Sequence, residues 1–141
     1  MRVYVDSDQA GDQVTRRSRT GFLVFLNNAL IYWTSKKQTT IETLSFGSEF
    51  MAMKHATEYV RGLRYKLRAI GIPVIKCAYI YGDNKSVLVN LVVPHSQLKK
   101  KSNSVTFCHV REESTLDEWR ATYINYLSLF YCNISRFVDR N

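Results

Sequence analysis

The sequence predicts a single α/β domain built around a mixed sheet, and three observations support this. The chain has 141 residues, 45% of them hydrophobic, which is enough for one core and too few for two ordinary domains. The period of the hydrophobic pattern changes along the chain in an order that indicates three strands, a helix, a strand and a second helix. Acidic residues follow two of the predicted strands, where an open α/β sheet places its ligands.

The first three strands are expected within the first 35 residues. Residues 2–5 alternate weakly and break at a polar turn that contains Gly11. Residues 20–26 and 29–35 are rich in branched and aromatic side chains. Between them, Asn27-Asn28 is a hairpin signal, because asparagine tolerates positive φ. We therefore expect three antiparallel strands.

A long helix is expected over residues 46–70, because its apolar residues recur at three- and four-residue steps and Gly71 and Pro73 follow it. The later segments are less regular. They predict a strand over residues 77–81, a helix over 85–92, a helix-like stretch over 105–113 and a strand over 120–124. Residues 125–141 show no clear period. The expected organisation is a domain over residues 1–124 followed by a tail, 125–141, of unassigned structure.

Three acids, Asp6, Glu49 and Asp83, are candidates for one shared site. If the strands before Asp6 and Asp83 are parallel neighbours, both carboxylates project from the same edge of the sheet. Glu49 lies near the start of the long helix, on or beside its buried stripe. Carboxylates crowded in this way repel one another unless a cation lies among them, and hard oxygen ligands select Mg²⁺ or Mn²⁺. Paired ions of this kind clamp the attacking and leaving oxygens of a phosphodiester, so the trio predicts a metal-dependent nuclease.

Each of these acids also has a simpler interpretation. Glu49 could complement the dipole of its helix. Asp83, in the pair Asp83-Asn84, could belong to a plain turn or cap the next helix. The sequence leaves these alternatives open.

Basic residues favour a polyanionic partner, since the net charge is +8. Three basic clusters could surround the acidic edge and track phosphates, in which case binding would weaken steeply with salt. The candidate nucleic-acid-binding residues are Arg16, Arg17, Arg19, Lys36, Lys37, Lys99, Lys100 and Lys101. A lysine run can also be no more than a solvated face.

Other conspicuous side chains are assigned to structure. Tyr32 and Trp33 could stack on bases, but aromatic residues of strands more often belong to the core. Four basic residues of the long helix are expected to form its solvated face: Arg61, Arg64, Lys66 and Arg68.

The three cysteines are widely spaced and form no CxxC pair, which favours a reducing compartment and argues against a zinc site. No uncharged run reaches the ~20 residues that a membrane span needs, and Met1 leads directly into the first strand. We expect an intracellular protein, cytoplasmic or nuclear and not secreted, with no membrane partner.

Between Tyr4 and about Glu113 the chain resembles the ribonuclease H domain that ends the reverse transcriptase of copia-type retrotransposons. The matching blocks occur in the order of that family: Val5-Asp6-Ser7-Asp8-Gln9-Ala10-Gly11-Asp12, Thr15-Arg16-Arg17-Ser18-Arg19-Thr20-Gly21-Phe22-Leu23-Val24, Ile31-Tyr32-Trp33-Thr34-Ser35-Lys36-Lys37-Gln38, Ser48-Glu49-Phe50-Met51-Ala52, Tyr81-Gly82-Asp83-Asn84 and His109-Val110-Arg111-Glu112. The resemblance implies a ribonuclease H-like fold, with three antiparallel strands joined to parallel ones and flanked by helices.

The resemblance also implies a mechanism. Asp6, Glu49 and Asp83 fall on the family's first three metal-binding carboxylates, and Asp8 is a nearby acid of less certain role. Together they would hold two Mg²⁺ or Mn²⁺ ions, which activate a water while the RNA strand of an RNA–DNA hybrid is cut. In the family a polymerase portion precedes this domain, and this chain begins almost at the first strand. The chain thus looks like a truncated or decayed copy of part of a Pol polyprotein.

The family's fourth carboxylate has no counterpart in residues 127–137, which contain no acid, and Asp139 is the only later candidate. Two hypotheses follow. The first is a ribonuclease H acting on hybrids, weakened by the loss of one metal ligand. The second is a non-catalytic remnant that keeps the fold and binds nucleic acid. An integrase- or transposase-like nuclease of the same broad fold would cut DNA instead, and the copia-like blocks argue against it.

Overall fold

The computed structural model of the chain describes residues 1–42, 44–92, 108, 110–112 and 119–123. Its elements follow the order expected from the sequence, with differences of one to three residues at most of their ends. They are β1 (Arg2–Asp8), β2 (Arg19–Leu26), β3 (Ala29–Lys37), α1 (Ser45–Ala69), β4 (Ala78–Gly82), α2 (Lys85–Val92) and β5 (Trp119–Tyr123).

The five strands form one mixed sheet in the order β3-β2-β1-β4-β5. β2 pairs antiparallel with both β1 and β3, whereas β4 pairs parallel with both β1 and β5. The α/β fold with three antiparallel strands followed by parallel strands is therefore confirmed. Because β1 and β4 are parallel, their carboxyl ends lie at the same edge of the sheet, and the amino end of β2 lies there too.

The hairpin between β2 and β3 turns through Asn27 and Asn28, as the sequence predicts. Both residues have positive φ, 48° and 72° respectively. Two consecutive residues with positive φ match the twist of the flanking strands, and asparagine adopts this conformation more readily than most side chains.

The core lies between the sheet and the helix α1. From β1, Val3 and Val5 are at most 1% exposed, and from α1, Phe50, Ala56 and Val60 are fully buried. Their spacing follows the two-residue period of a strand and the three- and four-residue steps of a helix. Burying each large side chain of this kind stabilises the fold by roughly 1.5–3 kcal/mol. The packing fixes α1 across β1, which positions the start of the helix over the edge of the sheet.

The helix α1 ends at Ala69, close to where the sequence predicts; Ile70 is its C-cap, and Gly71 follows with a φ of +82°. One expectation about this helix is wrong. Arg64 is 2% exposed, and its Nη1 donates a hydrogen bond of 2.7 Å to the carbonyl oxygen of Lys76. Arg64 lies one turn after the buried Val60, so it shares the helix face that meets the loop before β4. Among the described residues, no helix is long and apolar enough to cross a membrane.

Several expectations fall outside the described residues. They concern the lysine run Lys99, Lys100 and Lys101, the tail 125–141 with Asp139, and most of the helix-like stretch 105–113. Residues 108 and 110–112 of that stretch are helical, and Val110 is 1% exposed. The division into a domain over 1–124 and a tail over 125–141 stays a prediction.

Candidate metal centre

The three candidate acids come from three neighbouring elements. Asp6 lies inside β1, which continues to Asp8, and not just after the strand as the sequence suggests. Asp83 directly follows Gly82, the last residue of β4. Since Tyr4 pairs with Tyr81 in the parallel ladder, Asp6 and Asp83 are each two residues beyond the same rung. Glu49 is the fifth residue of α1, which packs against β1.

The structure brings these three acids together. One carboxylate oxygen from each of Asp6, Glu49 and Asp83 lies within 4.8 Å of the others. Asp6 and Glu49 are half-buried and Asp83 is exposed, so the cluster opens to solvent on one side. Among the described residues, no other group of three or more Asp, Glu, His or Cys side chains has its ligand atoms close enough to share an ion.

The simpler interpretations of the acids fit less well. The first turn of α1 contains no acid, because the helix begins at Ser45 and Glu49 lies in its second turn. The α2 cap is provided by Asn84, whose Oδ1 accepts a hydrogen bond of 3.2 Å from the Val87 N–H. Neither the helix dipole nor the cap therefore accounts for Glu49 and Asp83.

Burial is the main cause that raises the pKa of all three carboxyl groups. Burial, followed by the charges of Asp83 and Asp6, raises the pKa of Glu49 to about 8, although hydrogen bonds from Ser7 oppose the shift. Burial and then the Asp83 charge raise the pKa of Asp6, and burial raises that of Asp83. At neutral pH the trio therefore retains a proton unless a positive charge replaces it.

Asp8 does not join this cluster. It is exposed, and its carboxyl group lies against Gly11 in the following turn, where a Cβ on the glycine would collide with it. Its charge still contributes to raising the pKa of Asp6. A metal-binding role for Asp8 remains a prediction, and the geometry favours the other three acids.

Basic side chains border the same edge of the sheet. Arg19 in β2 pairs with Asp8 of β1 on one side and with Lys37 of β3 on the other. Lys36 is the neighbour of Lys37 along β3. The basic residues described at this edge are all exposed: Arg16, Arg17, Arg19, Lys36 and Lys37. Two of the three predicted basic clusters therefore lie at or beside the edge of the sheet that carries Asp6 and Asp83, and their role in binding stays a prediction.

One of these charges is already paired. Lys37 forms an ion pair with Asp12, and this contact is the main cause that holds the Asp12 pKa well below its usual range. Asp12 also orders the loop, because its Oδ1 accepts hydrogen bonds from the backbone N–H groups of Val14 and Thr15 at 3.0 and 3.3 Å. Arg16 within this loop has a positive φ of 54°.

No protein-family model matches the chain. It is 42% identical over 65 residues to the secreted RxLR effector protein 161 of Plasmopara viticola, with 46% of each chain covered. It is 23% identical over 125 residues to the retrovirus-related Pol polyprotein of transposon RE1 from Arabidopsis thaliana, which covers 89% of this chain and 8% of the polyprotein. A second such polyprotein, from transposon RE2, is 29% identical over 101 residues, 70% of this chain and 7% of the polyprotein. The chain spans less than half the length of each of these relatives.

Solved structures agree with the sheet described above. LC11-RNase H1, isolated from compost, superposes with a TM-score of 0.64 over 89% of this chain and 84% of that protein, at 15% identity. The structure of LC11-RNase H1 in complex with an RNA/DNA hybrid superposes with a TM-score of 0.59. The N-terminal RNase H domain of a Mycobacterium tuberculosis protein has the same TM-score, 0.59, at 10% identity. The chain has the ribonuclease H fold and is similar in sequence to retrotransposon Pol polyproteins.

Sequence reasoning missed a buried polar network beside the acids of this ribonuclease H-fold chain. Ser7 follows Asp6, and its Oγ lies 3.1 Å from the Oγ of Ser48, which precedes Glu49. The carbonyl oxygen of Ser48 accepts a hydrogen bond of 2.9 Å from the Gln38 side chain. All three residues fall in the blocks that resemble the ribonuclease H family, but residue type and spacing alone do not show that they meet.

Proposed function

We propose that this chain is a metal-dependent endonuclease of ribonuclease H type that cuts the RNA strand of RNA–DNA hybrids, as part of a copia-type reverse transcriptase. The observation that carries the proposal is the meeting of three carboxylates within 4.8 Å at the edge of a ribonuclease H-fold sheet. A fold neighbour, LC11-RNase H1, has been solved with an RNA/DNA hybrid, which supports hybrid as the substrate.

The donor set fits a hard divalent cation. Asp6, Glu49 and Asp83 offer only carboxylate oxygens at the cluster, and such ligands favour Mg²⁺ or Mn²⁺ over softer metals. Burial first, and the charges of the neighbouring acids second, raise the pKa values of Asp6 and Glu49, and both effects oppose three separate negative charges at the site. When bound, two such ions would supply an activated water and neutralise charge on the leaving 3′ oxygen.

The protein's own contribution is then to position and to bind. The half-buried Asp6 and Glu49 hold their carboxylates in place from a strand and a helix of the core, and the exposed Asp83 leaves the site open to a large substrate. Basic residues along the edge would contact phosphates on either side of the cleaved bond. Phosphate contacts carry no sequence code, so we expect cleavage to be sequence-tolerant and to depend on hybrid shape and the 2′-hydroxyl.

A gel assay with an end-labelled RNA–DNA hybrid tests the proposal. Cleavage is expected with Mg²⁺ or Mn²⁺ and is expected to stop with EDTA. Asp83→Asn should lower the rate about 100-fold or more, the upper end of the loss seen even for groups that only support metal ligands. Glu58→Gln is the matched control, because Glu58 is an acid on the solvent side of α1 that pairs with Lys54.

The same gel separates the alternatives. A non-catalytic remnant that binds nucleic acid is favoured by one observation, the absence of any acid from residues 127–137, where related domains carry a fourth carboxylate. It predicts salt-sensitive hybrid binding, no cutting and no effect of Asp83→Asn. A labelled DNA duplex is included as well, and cutting of that duplex in place of the hybrid would contradict the ribonuclease proposal.

A further inference from the structure

We propose that Gln38 is a positioning residue that holds Glu49 against Asp6 by fixing the peptide group between Ser48 and Glu49. Its role in cleavage rests on the function proposed above. Its effect on the geometry of the acids does not, so the two can be tested separately.

Gln38 ties three segments together at the edge of the sheet. It directly follows β3 and is 3% exposed. Its Nε2 donates hydrogen bonds of 2.9 Å to the Thr20 Oγ1 in β2 and to the Ser48 carbonyl oxygen in α1. Its backbone N–H donates one of 2.8 Å to the carbonyl oxygen of Ser18. Gln38 is therefore held by Ser18, just before β2, and by Thr20 in β2, and in turn holds the first turns of α1.

The Ser48 carbonyl oxygen matters because it belongs to the peptide group that leads into Glu49. The carbonyl of Ser48 and the N–H of Glu49 belong to one planar peptide group, so fixing that oxygen also fixes the backbone from which the Glu49 side chain starts. A change of even about 1 Å in the position of a functional group can cost roughly 100-fold in rate. Gln38 thus acts on Glu49 without touching its carboxylate.

A second set of contacts joins the same peptide to the strand that carries Asp6. Ser48 is fully buried, and its Oγ donates to the Ser45 carbonyl oxygen at 2.9 Å and lies 3.1 Å from the Ser7 Oγ. Ser7 is the neighbour of Asp6 and also hydrogen-bonds to Glu49. Both acids are therefore flanked by residues of one connected hydrogen-bond network, with Gln38 at its far end.

The amide at this position has a cost in stability as well as a gain. The Gln38 Oε1 is buried and has no hydrogen-bond partner among the described residues. An apolar side chain of the same length would avoid that unpaired acceptor. An apolar side chain would lose the two hydrogen bonds that Nε2 donates. One of these bonds holds α1 at the residue before Glu49.

The test compares Gln38→Met with the wild type and with Val60→Ala. Methionine keeps the length of the side chain and removes both donated bonds. Val60 is a fully buried residue of α1 that lies 11 residues beyond Glu49, so its truncation destabilises the same helix about 16 Å away from the acids. Mn²⁺ affinity is measured by water-proton relaxation, alongside the unfolding midpoint in urea and hybrid cleavage as a function of Mn²⁺ concentration.

We expect Gln38→Met to bind Mn²⁺ about 10-fold more weakly or worse, the range typical of groups that orient metal ligands. The Mn²⁺ concentration for half-maximal cleavage should rise by the same factor, with the maximal rate largely retained. Val60→Ala should lower the unfolding midpoint without changing Mn²⁺ affinity. If Gln38→Met does not fold, Thr20→Val removes the hydroxyl that anchors the Gln38 Nε2 and should weaken Mn²⁺ binding in the same direction.

The outcomes separate this inference from the proposed function. Equal Mn²⁺ affinity in the wild type and Gln38→Met, with hybrid cleavage intact, overturns the positioning role and leaves the nuclease proposal standing. Mn²⁺ binding that Gln38→Met weakens, without any cutting of hybrid, overturns the nuclease proposal and supports the positioning role. A wild-type protein that does not bind Mn²⁺ overturns both, and equal loss of affinity in Val60→Ala reduces the effect to general destabilisation.

Discussion

Glu49→Gln should make the metal-free protein less sensitive to pH and more stable above pH 7. In the folded state the pKa of Glu49 rises from its ordinary 4.5 to about 8, because burial and the nearby charges of Asp83 and Asp6 disfavour the ionised form. Between these two values the folded protein binds a proton that the unfolded chain has released. The free energy of unfolding therefore falls as the pH rises through this window, and is fully lowered above pH 8.

The size of the effect follows from the width of the window. Each pH unit is worth at most about 1.4 kcal/mol, so the upper limit between pH 5 and pH 8 is about 4 kcal/mol. Glu49 is only partly buried, and solvent screening reduces the expected change to about 2 kcal/mol. For a domain of this size that corresponds to a shift of about 6–8 °C in Tm.

The assay is urea unfolding at pH 5 and pH 8 in EDTA, followed by tryptophan fluorescence, for which the buried Trp119 is a reporter. Between pH 5 and pH 8 the free energy of unfolding should fall by about 2 kcal/mol more in the wild type than in Glu49→Gln. Glu58 is a more exposed acid on the same helix. The free energy of unfolding of Glu58→Gln should differ from that of the wild type by less than about 1 kcal/mol at both pH values. Parallel pH dependence in the wild type and Glu49→Gln would show that burial and the neighbouring acids do not raise the pKa of Glu49.

Three further predictions follow from the same geometry. Mn²⁺ at 100 times its dissociation constant should raise the free energy of unfolding at pH 8 by about 2.7 kcal/mol, measured against a sample in EDTA; no gain would contradict a metal centre. Lys36→Ala should lower the salt slope of hybrid binding by about one, and Lys37→Ala by less, because Asp12 already neutralises Lys37. Fluorescence anisotropy over a salt series measures both slopes, and equal slopes would count against the ion pair. Gly82→Ala should change the free energy of unfolding by no more than about 1 kcal/mol, because the added Cβ would lie 3.0 Å from the flexible Met53 Cε, whereas Gly82→Val should cost about 1–3 kcal/mol in urea unfolding.

Local chemistry made much of the fold predictable. The Asn27-Asn28 turn, the apolar stripe of α1 and its end at Gly71 are each set by residues close together in the chain, and all three occur where the sequence predicts them. The ends of the strands were less predictable. β1 extends to Asp8 because β2 provides a partner, Arg19, at that rung, and pairing with another strand is not visible in the sequence of β1 alone.

The same distinction explains the errors at side-chain level. Arg64 looks like a surface residue in sequence, because its partner is the carbonyl oxygen of Lys76, 12 residues later in a loop. Gln38 and Ser48 were overlooked because the meaning of a buried amide depends on what lies within 3 Å of it. An isolated serine or glutamine carries no periodic or spacing signal.

The amino-acid order by itself determined the sequence of strands and helices and the identity of the acids, because hydrophobic period, turn chemistry and residue type are local properties. Only the tertiary structure decided that Asp6, Glu49 and Asp83 share a space of 4.8 Å, that Asp8 turns away to Gly11, and that Lys37 is neutralised by Asp12. These outcomes depend on strand register and on how α1 packs across β1. Both are set by the burial of the whole core and not by the residues of the site.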